Sequence, residues 1–254
     1  MERLVTSERI GSTAILTIMN PPVNALSRET AAALHLAWQQ ADEDDAVTRI
    51  VITGSGKMFV AGADLREIER ITQHEIPPDL SYLNQLLNAI ERGHTLVVMA
   101  MNGGALGIGL ELAMAGHYRV LRAGSQVGLP EVNLGLIPGA GGTQRLPRLA
   151  GVGPALRMCL TGKSISAEEA LELGIVDRVV EEDVVAAALE VTQGRRTDQL
   201  PCQGNLRVVE AILAAVRAGT FEAGLAEEAR LFREALVDQE AKEKVAAFFA
   251  SRKK

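Results

Sequence analysis

The sequence predicts an α/β fold, in which a β-sheet with helices on its faces is followed by a helical C-terminal portion. In the first half of the chain, short runs rich in Ile, Leu, Val and Thr alternate with segments whose apolar residues recur at helical spacing. Beyond Gly139 almost every segment has the helical spacing, apart from a short apolar run at 175–180. Repeated strand and helix segments of this kind favour a sheet covered by helices.

The individual elements follow from the same periodicities. The predicted strands lie at 3–8, 13–19, 49–53, 59–61, 95–101 and 118–122, with extended chain again near Gly128. The predicted helices are 27–42, one starting at Asp64, one from Pro77 to Arg92, one after the glycines of 103–109, one entered at Thr143, and 206–217, 222–236 and 241–251. Ser27 is the predicted N-cap of the first helix, because its hydroxyl can accept a hydrogen bond from a first-turn N–H.

Composition argues against several classes of function. The chain of 254 residues has a formal net charge of −6 and only 3% aromatic residues, so it lacks the basic field and the stacking surfaces of a nucleic-acid-binding protein. No apolar run reaches the roughly 20 residues that a membrane span requires, and the first residues do not resemble a targeting signal. Cys159 and Cys202 form no pairing motif, so we expect a reducing compartment. Because no targeting signal is visible, we expect that compartment to be the cytoplasm.

Sequence motifs for bound cofactors and metals are incomplete. Gly139 and Gly141 begin a dinucleotide fingerprint, but Gln144 stands where its third glycine belongs. The four histidines have no metal-ligand spacing with cysteine or with one another. We therefore expect neither a metal nor a redox cofactor.

Two glutamates stand in apolar, glycine-rich surroundings. Glu111 is the one charge in the run 102–116, and Glu131 precedes a loop built on Pro138 and several glycines. A glutamate in the first turn of a helix is favoured by the helix dipole, so each has a structural explanation when taken alone. Burying an isolated carboxylate is costly, however, and two carboxylates in different environments can divide the roles of acid and base.

A third segment supplies candidate hydrogen-bond donors. In 57–68 an apolar run leads through Gly62 into Asp64, which is a predicted helix N-cap. Backbone N–H groups at this turn, and at the glycine-rich turn before Glu111, have no partner within the helix that follows. Taken alone, each segment is explained as a tight turn before a capped helix. Together, the N–H groups of the two turns can donate to one oxygen atom, as those of an oxyanion hole do.

Taken together, these segments resemble the enoyl-CoA hydratase/isomerase (crotonase) family over essentially the whole chain. The matching segments are, in order, Asn20–Leu26, Ala61–Asp64, Gly107–Glu111, Pro130–Glu131, Pro138–Arg145, Leu160–Gly162 and Lys244–Lys253. Glu111 and Glu131 are twenty residues apart, which is the separation in the hydratases of the family. The resemblance implies a spiral of β-β-α units over residues 1–195, followed by a C-terminal helical region over 196–254 that serves in trimerisation. Trimers in the family often pair into hexamers.

The resemblance also implies roles for individual residues. It places the backbone N–H groups of Ala63 and Ile108 in the oxyanion hole for a thioester carbonyl. It makes Glu111 and Glu131 the catalytic pair, and it makes Gly139 the glycine whose N–H helps to hold the reacting water. The residues expected to contact coenzyme A are Ala25, Ala61, Asp64, Leu65, Arg66 and, from a neighbouring subunit, Phe232.

This chain departs from the family pattern at two positions. Ile108 stands where family members usually have glycine, which keeps the N–H group but adds a side chain near the acyl pocket. Ser251 replaces a lysine that many members use near the CoA phosphate, with Arg252 and Lys253 as candidate substitutes.

The activity that the resemblance implies is reversible syn hydration of a trans-2-enoyl-CoA to a 3-hydroxyacyl-CoA, a lyase reaction of fatty acid β-oxidation. Isomerisation between Δ3- and Δ2-enoyl-CoA is the nearest alternative, because one glutamate can move a proton between C2 and C4. Other acyl-CoA reactions of the family, and a non-catalytic acyl-CoA-binding protein of the same fold, are further alternatives. The presence of both glutamates favours hydration, with an acyl-CoA thioester and copies of the chain itself as the expected partners.

Overall fold

The computed structural model describes residues 3–64, 66–67 and 81–202, with scattered positions beyond 202. It divides into two compact units, Met1–Gln203 and Gly204–Lys254, and the elements below belong to the first. Apart from scattered positions, the helices predicted at 206–217, 222–236 and 241–251 lie outside the described residues, as does the start of the helix predicted from Pro77. The predicted domain boundary between residues 195 and 196 stays a prediction.

The elements alternate along the chain as the periodicities predict. The strands are β1 (Val5–Ile10), β2 (Thr13–Ile18), β3 (Arg49–Gly54), β4 (Leu96–Met101), β5 (Ala105–Leu106), β6 (Tyr118–Arg122), β7 (Gln126–Gly128), β8 (Ile165–Ser166) and β9 (Arg178–Val180). The α-helices are α1 (Arg28–Asp42), α2 (Ser81–Arg92), α3 (Ile108–Ala115), α4 (Gly142–Ala150), α5 (Val152–Thr161), α6 (Ala167–Glu172) and α7 (Val184–Leu189). Short 3-10 helices span Glu131–Leu134 and Thr197–Gln199.

The strands form two sheets. A six-stranded sheet has the order β1-β2-β3-β4-β6-β9, in which β1 and β2 are antiparallel and every other pair is parallel. A second sheet has the order β5-β7-β8. Isolated β-bridges also join Leu26 to Ala63 and Val60 to Ala105. Successive turns of the chain therefore place a strand in the large sheet, then a short extended segment, then a helix. This confirms the α/β class and fits the expected spiral of β-β-α units.

Both faces of the six-stranded sheet are buried. Alternate residues of a strand point to opposite faces, so each central strand contributes to two apolar clusters. The main core contains Leu16, Ile50, Ile52, Val97 and Met99 together with side chains of α1, α2 and α3. The second cluster contains Ile15, Val51, Val98, Ala100 and Val120 packed with Val184, Ala187 and Ala188 of α7. The continuous apolar runs of β3 and β4 are those expected of parallel strands covered on both sides.

Local signals define several helix starts. The hydroxyl of Ser27 accepts a hydrogen bond from the N–H of Thr30 at 3.2 Å, which confirms the predicted cap of α1. The carboxylate of Asp64 accepts from the N–H of Arg66 at 2.9 Å, which confirms the second predicted cap. The helix entered near Thr143 is also confirmed, since α4 begins at Gly142.

Some short stretches differ from the sequence predictions, including β5, which forms where no strand was predicted. β8 pairs with β7 in a region predicted to be helical, and the predicted strand 59–61 contributes the single bridge of Val60 instead of a strand. A strand of two residues is too short to show alternation, so its pairing depends on the neighbouring strand and not on local sequence.

Among the residues that the structure describes, no helix has the length and apolarity to cross a membrane.

Asn24 joins the turn after β2 to the turn after β3. It is fully buried, with a φ of 55°. Its Nδ2 donates to the carbonyl oxygens of Ser55 and Met58, both at 2.8 Å, and its Oδ1 accepts from the N–H of Asn20 and from the Ser55 hydroxyl, both at 3.1 Å. These bonds fix the beginning of the segment that runs on into residues 59–64.

We predict that Asn24→Asp lowers the free energy of unfolding by about 2–5 kcal/mol, because two buried carbonyl oxygens lose their donors. Aspartate keeps the size of asparagine and also tolerates positive φ, so the change isolates the lost hydrogen bonds. Urea unfolding followed by circular dichroism measures the effect.

The matched control is Gln39→Glu, which makes the same amide-to-carboxylate change at an exposed position of α1. It should cost about 0.5 kcal/mol at most, the scale of one side-chain pair on a helix surface. Equal losses of stability in the two variants would show that Asn24 does not anchor the turn.

Candidate functional site

Glu111 is a buried carboxylate at the beginning of an apolar helix. It lies in the first turn of α3, is 2% exposed, and has only apolar residues and glycine beside it in that helix. Its Oε1 accepts two backbone hydrogen bonds, from Ala140 at 2.8 Å and from Gly142 at 2.7 Å. The carboxylate is therefore held at one oxygen by the chain that leads into α4.

The fit of this loop around Glu111 requires glycine. A β-carbon placed on Gly142 would lie 2.9 Å from Oε1 of Glu111 and 2.8 Å from Cβ of Pro138. Gly141 has a φ of 99°, which L side chains rarely adopt. The glycines of this segment thus bring the backbone donors close to the carboxylate.

Opposing effects act on the protonation of Glu111. Burial raises the pKa of the Glu111 carboxyl above its ordinary value. The hydrogen bonds from Gly142 and Ala140, and the positive charge of Arg145, lower that pKa again. The hydrogen bonds and the positive charge thus offset part of the effect of burial, and the pKa of Glu111 stays above its ordinary value.

Glu131 has a different environment. It lies in the 3-10 helix Glu131–Leu134 and is partly buried. Its Oε2 is buried and has no hydrogen-bond partner in the part of the chain that the structure describes. Burial raises the pKa of Glu131 to about 7, its own backbone N–H lowers the pKa, and the negative charge of Glu111 raises it. Near neutral pH this carboxyl can both donate and accept a proton.

Two glycine turns meet beside Glu131. Gly107 has a φ of 53°, and a β-carbon on it would lie 3.1 Å from Oε1 of Glu131 and 4.0 Å from Cα of Gly62. The N–H of Leu106 donates to the carbonyl oxygen of Val60 at 3.1 Å, which ties the two turns together. The segments predicted to supply an oxyanion hole are therefore adjacent, and Glu131 lies against one of them.

The two predicted donors directly follow these glycines. Ala63 is half-buried and forms the bridge with Leu26. Ile108 is the first residue of α3, and its side chain packs in the main core. Among the described residues no backbone carbonyl accepts from either N–H, as expected for the first N–H groups before a helix.

The residues predicted to contact coenzyme A are placed in part. The N–H of Leu26, next to Ala25, donates to the carbonyl oxygen of Gly62 at 2.9 Å, and the N–H of Ala61 donates to that of Val23 at 3.1 Å. Ala25 and Ala61 are thus close. Asp64 follows, and its carboxylate accepts a hydrogen bond from the N–H of Arg66. The predicted Leu65, Phe232, Ser251, Arg252 and Lys253 lie outside the described residues.

Gly139 lies in the loop that binds Glu111. It is exposed, and its carbonyl oxygen is 3.4 Å from Nδ2 of Asn84, which donates to it. The next residue, Ala140, donates its N–H to Glu111. The predicted water-positioning residue is therefore next to the site. The residues whose N–H groups bind the carboxylate, Ala140 and Gly142, were not predicted from the sequence.

Two further residues were missed, Glu91 and Arg145. Glu91 lies four residues after Leu87 and Arg145 four before Leu149, so both occupy the apolar faces of their helices. A charge on an apolar helix face is a signal that sequence can show. Both side chains are buried, and they form an ion pair of 2.8 Å.

The arrangement can perform acid–base chemistry at a polarised carbonyl group. It combines a carboxylate held by backbone donors, a carboxyl with a pKa near neutrality, and two adjacent turns with available N–H groups. Within residues 3–64, 66–67 and 81–202 and the scattered positions after them, no group of three His, Cys, Asp or Glu side chains could hold a metal ion.

Comparison with known proteins places the chain in a family. The family model described as "Enoyl-CoA hydratase/isomerase" matches residues 8–254. A Bacillus subtilis (strain 168) protein named "Probable enoyl-CoA hydratase" is 39% identical over 248 residues, which are 94% of this chain and 93% of that protein. A crystal structure of an enoyl-CoA hydratase from Bacillus anthracis has a TM-score of 0.68 and 30% identity, covering 98% of this chain and 96% of that chain.

The chain also matches part of a larger protein. It is 48% identical over 179 residues, 70% of this chain, to a peroxisomal bifunctional enzyme of Danio rerio. That match spans only 24% of the zebrafish protein. Because the family model matches nearly the whole chain and the fold is shared, this chain belongs to the enoyl-CoA hydratase/isomerase (crotonase) family.

Proposed function

We propose that the protein is an enoyl-CoA hydratase, which adds water reversibly across the double bond of a trans-2-enoyl-CoA. The observation that supports this most directly is the contrast between the two glutamates. Glu111 is held by two backbone N–H groups, whereas Glu131 has a pKa near 7 and a buried oxygen without a partner among the described residues. Carboxyl groups with such different environments can act as base and acid at the same pH.

In the proposed mechanism the substrate carbonyl is polarised first. The thioester oxygen accepts hydrogen bonds from the N–H groups of Ala63 and Ile108. These donors draw electron density from the conjugated double bond, so C3 becomes electrophilic and the enolate-like transition state is stabilised. Fixed backbone donors suit this role because they need no reorganisation as the charge develops.

The two glutamates then move the protons. Ionised Glu111 takes a proton from water as the oxygen of that water bonds to C3, and Gly139 helps to hold the water. Protonated Glu131 gives its proton to C2. The product gains one hydroxyl and one hydrogen, the pair of glutamates keeps a single proton, and no electron is gained or lost. The reaction therefore needs no metal or redox cofactor.

Substrate binding completes the proposal. Ala25, Ala61, Asp64, Leu65 and Arg66 contact the coenzyme A portion, and Phe232 approaches the adenine from a neighbouring subunit. The C-terminal region serves in trimerisation, and the protein is a homotrimer or a hexamer of two trimers. Ala25 and Ala61 lie on adjacent segments, which supports a common binding edge for the CoA group.

Isomerisation of a Δ3-enoyl-CoA is the second candidate. The pKa of Glu131 near 7 favours it as well, since such a carboxyl can take a proton from C2 and return one to C4. Glu111 is not required in that reaction. The two candidates therefore differ in how much activity depends on Glu111.

We predict that purified protein removes the enoyl-thioester absorbance of crotonyl-CoA. Glu111→Gln and Glu131→Gln should each lower kcat by at least about 10²-fold, the usual contribution of a general acid or base. Glu181→Gln, an exposed glutamate with the same substitution, should retain wild-type turnover.

The outcomes separate the candidates. Loss in Glu131→Gln alone, with full turnover of a Δ3-enoyl-CoA in Glu111→Gln, would favour isomerisation. Tight binding of acyl-CoA without turnover of either substrate would favour a binding protein instead.

We predict that kcat/KM for hydration falls as the pH rises through about 7, because the general acid Glu131 must be protonated and burial raises its pKa to about 7. At lower pH the rate should fall again as Glu111 becomes protonated. Initial rates between about pH 5 and 9 at constant ionic strength measure the profile. A flat profile on the alkaline side would exclude Glu131 as the proton donor.

We predict that Gly107→Ala reduces kcat by roughly 10²-fold, since its β-carbon would lie 3.1 Å from Oε1 of Glu131 and displace the carboxyl. Gly11→Ala is the matched control. Gly11 has a φ of 58°, close to the 53° of Gly107, but open space around its β-carbon position. Both variants should lose similar stability, and only Gly107→Ala should lose activity; equal activity in the two would refute the close approach.

A further inference from the structure

A buried ion pair lies behind the loop that binds Glu111. Arg145 of α4 is 5% exposed and Glu91 of α2 is 2% exposed. The Nε and Nη2 atoms of Arg145 donate to the same Oε2 of Glu91, at 3.2 and 2.8 Å. Nη2 also donates to Oδ1 of Asn88 at 2.9 Å.

The remaining guanidinium nitrogen reaches the loop itself. Nη1 of Arg145 donates to the carbonyl oxygen of Ala140 at 2.9 Å, and the N–H of that same residue donates to Glu111. The loop backbone lies directly on the guanidinium, since a β-carbon on Gly141 would be 2.2 Å from Nη1. One side chain therefore connects α2 to the peptide groups that bind the Glu111 carboxylate.

Glu91 is in turn fixed from its other side. Its Oε1 accepts from the N–H of Asp198 at 3.0 Å, and its backbone carbonyl lies 3.1 Å from Nε2 of His117. Nδ1 of His117 accepts from the N–H of Val97 at 2.9 Å, so Nε2 is the nitrogen that carries the proton and donates to Glu91. Both oxygens of the Glu91 carboxylate thus have defined partners.

Stability alone is a weak reason for such a pair. Removing two charges from water costs free energy that their attraction often only offsets, so apolar residues of similar size can be equally stabilising. The pair does, however, orient a peptide group with a forked donor, which apolar residues cannot do. Its positive member also lies close enough to Glu111 to lower the pKa of that carboxyl.

We propose that Glu91 and Arg145 are positioning residues, which orient Glu111 by holding the loop that binds its carboxylate. Neither residue touches the substrate in this assignment. The inference rests on the proposed function only in naming Glu111 as the general base. Within the described part of the chain, the titratable and charged groups that interact with the Glu111–Glu131 pair are the two glutamates themselves, Arg145 and the thiol of Cys159.

Two substitutions of Arg145 separate geometry from charge. Arg145→Lys keeps the charge but cannot bridge Glu91, Asn88 and Ala140 with one planar group. It should lower kcat for crotonyl-CoA at least about 10-fold while KM stays within about threefold, because the reacting groups are misplaced and the substrate contacts are not.

Arg145→Met should lower kcat further and also change its pH dependence. Without the positive charge the pKa of Glu111 rises, so the acid limb of the kcat profile moves to higher pH. In Arg145→Lys that limb should stay near its wild-type position. A purely structural role would lower the melting temperature without moving the limb in the enzyme that remains folded.

Arg148 provides the matched control on the same helix. Its Nη1 donates only to the carbonyl oxygen of Gln144, at 2.6 Å, among the described residues. Arg148→Lys and Arg148→Met should keep wild-type kcat and pH profile. The positioning role is overturned if folded Arg145→Lys and Arg145→Met do the same.

A measurement without substrate keeps this inference separate from the proposed function. Hydrogen–deuterium exchange in peptides covering 136–146 should be faster in Arg145→Lys than in the wild type or Arg148→Lys. The NMR titration of the Glu111 side-chain carbon, identified by its loss in Glu111→Gln, should move to higher pH in Arg145→Met. If the wild type fails to hydrate any enoyl-CoA, the proposed function fails, and these two readouts still decide the positioning role. Unchanged exchange and titration would overturn it.

Discussion

The burial of the Glu111 carboxylate is the constraint on which the site depends. An ionised group in an apolar helix is unstable unless donors replace the lost water, and here the donors are the amides of Ala140 and Gly142. Those amides reach the carboxylate because residue 142 has no side chain to intervene. Their loop is held in turn by Arg145 and, through it, by Glu91. The interactions that support the Glu111 carboxylate thus connect three helices, α2, α3 and α4.

The same constraint explains why two identical side chains differ. Glu111 receives two hydrogen bonds and lies near a cation, whereas Glu131 faces the negative charge of Glu111 and has a buried oxygen without a partner in the described part of the chain. Desolvation raises the pKa of both groups; two backbone hydrogen bonds and the charge of Arg145 oppose it at Glu111, whereas at Glu131 only its own backbone N–H does. In the proposed mechanism, the division of roles between base and acid follows from the surroundings and not from residue type.

Sequence predicted the parts of this protein that depend on local patterns. The apolar runs of β2, β3, β4 and β6, the caps at Ser27 and Asp64, and the two glutamates in glycine-rich segments are all visible without a structure. The two-residue strand β8 was wrongly included in a helical region, because its pairing partner is distant in sequence. The Glu91–Arg145 pair was missed for the same reason: 54 residues separate its members, and only tertiary packing brings their helices together.

The sequence shows where the glycines of the site lie, but only the structure shows why glycine is needed there. Their positions suggest flexible turns, but at Gly107 and Gly142 the space for a β-carbon is occupied by the carboxylates of Glu131 and Glu111. Glycine therefore serves close approach at these two positions, and the surrounding hydrogen bonds restrict motion. A site fixed in this way has its donors and carboxylates placed before substrate arrives. Little reorganisation would then accompany the proposed reaction, which is the condition under which backbone dipoles stabilise a transition state most effectively.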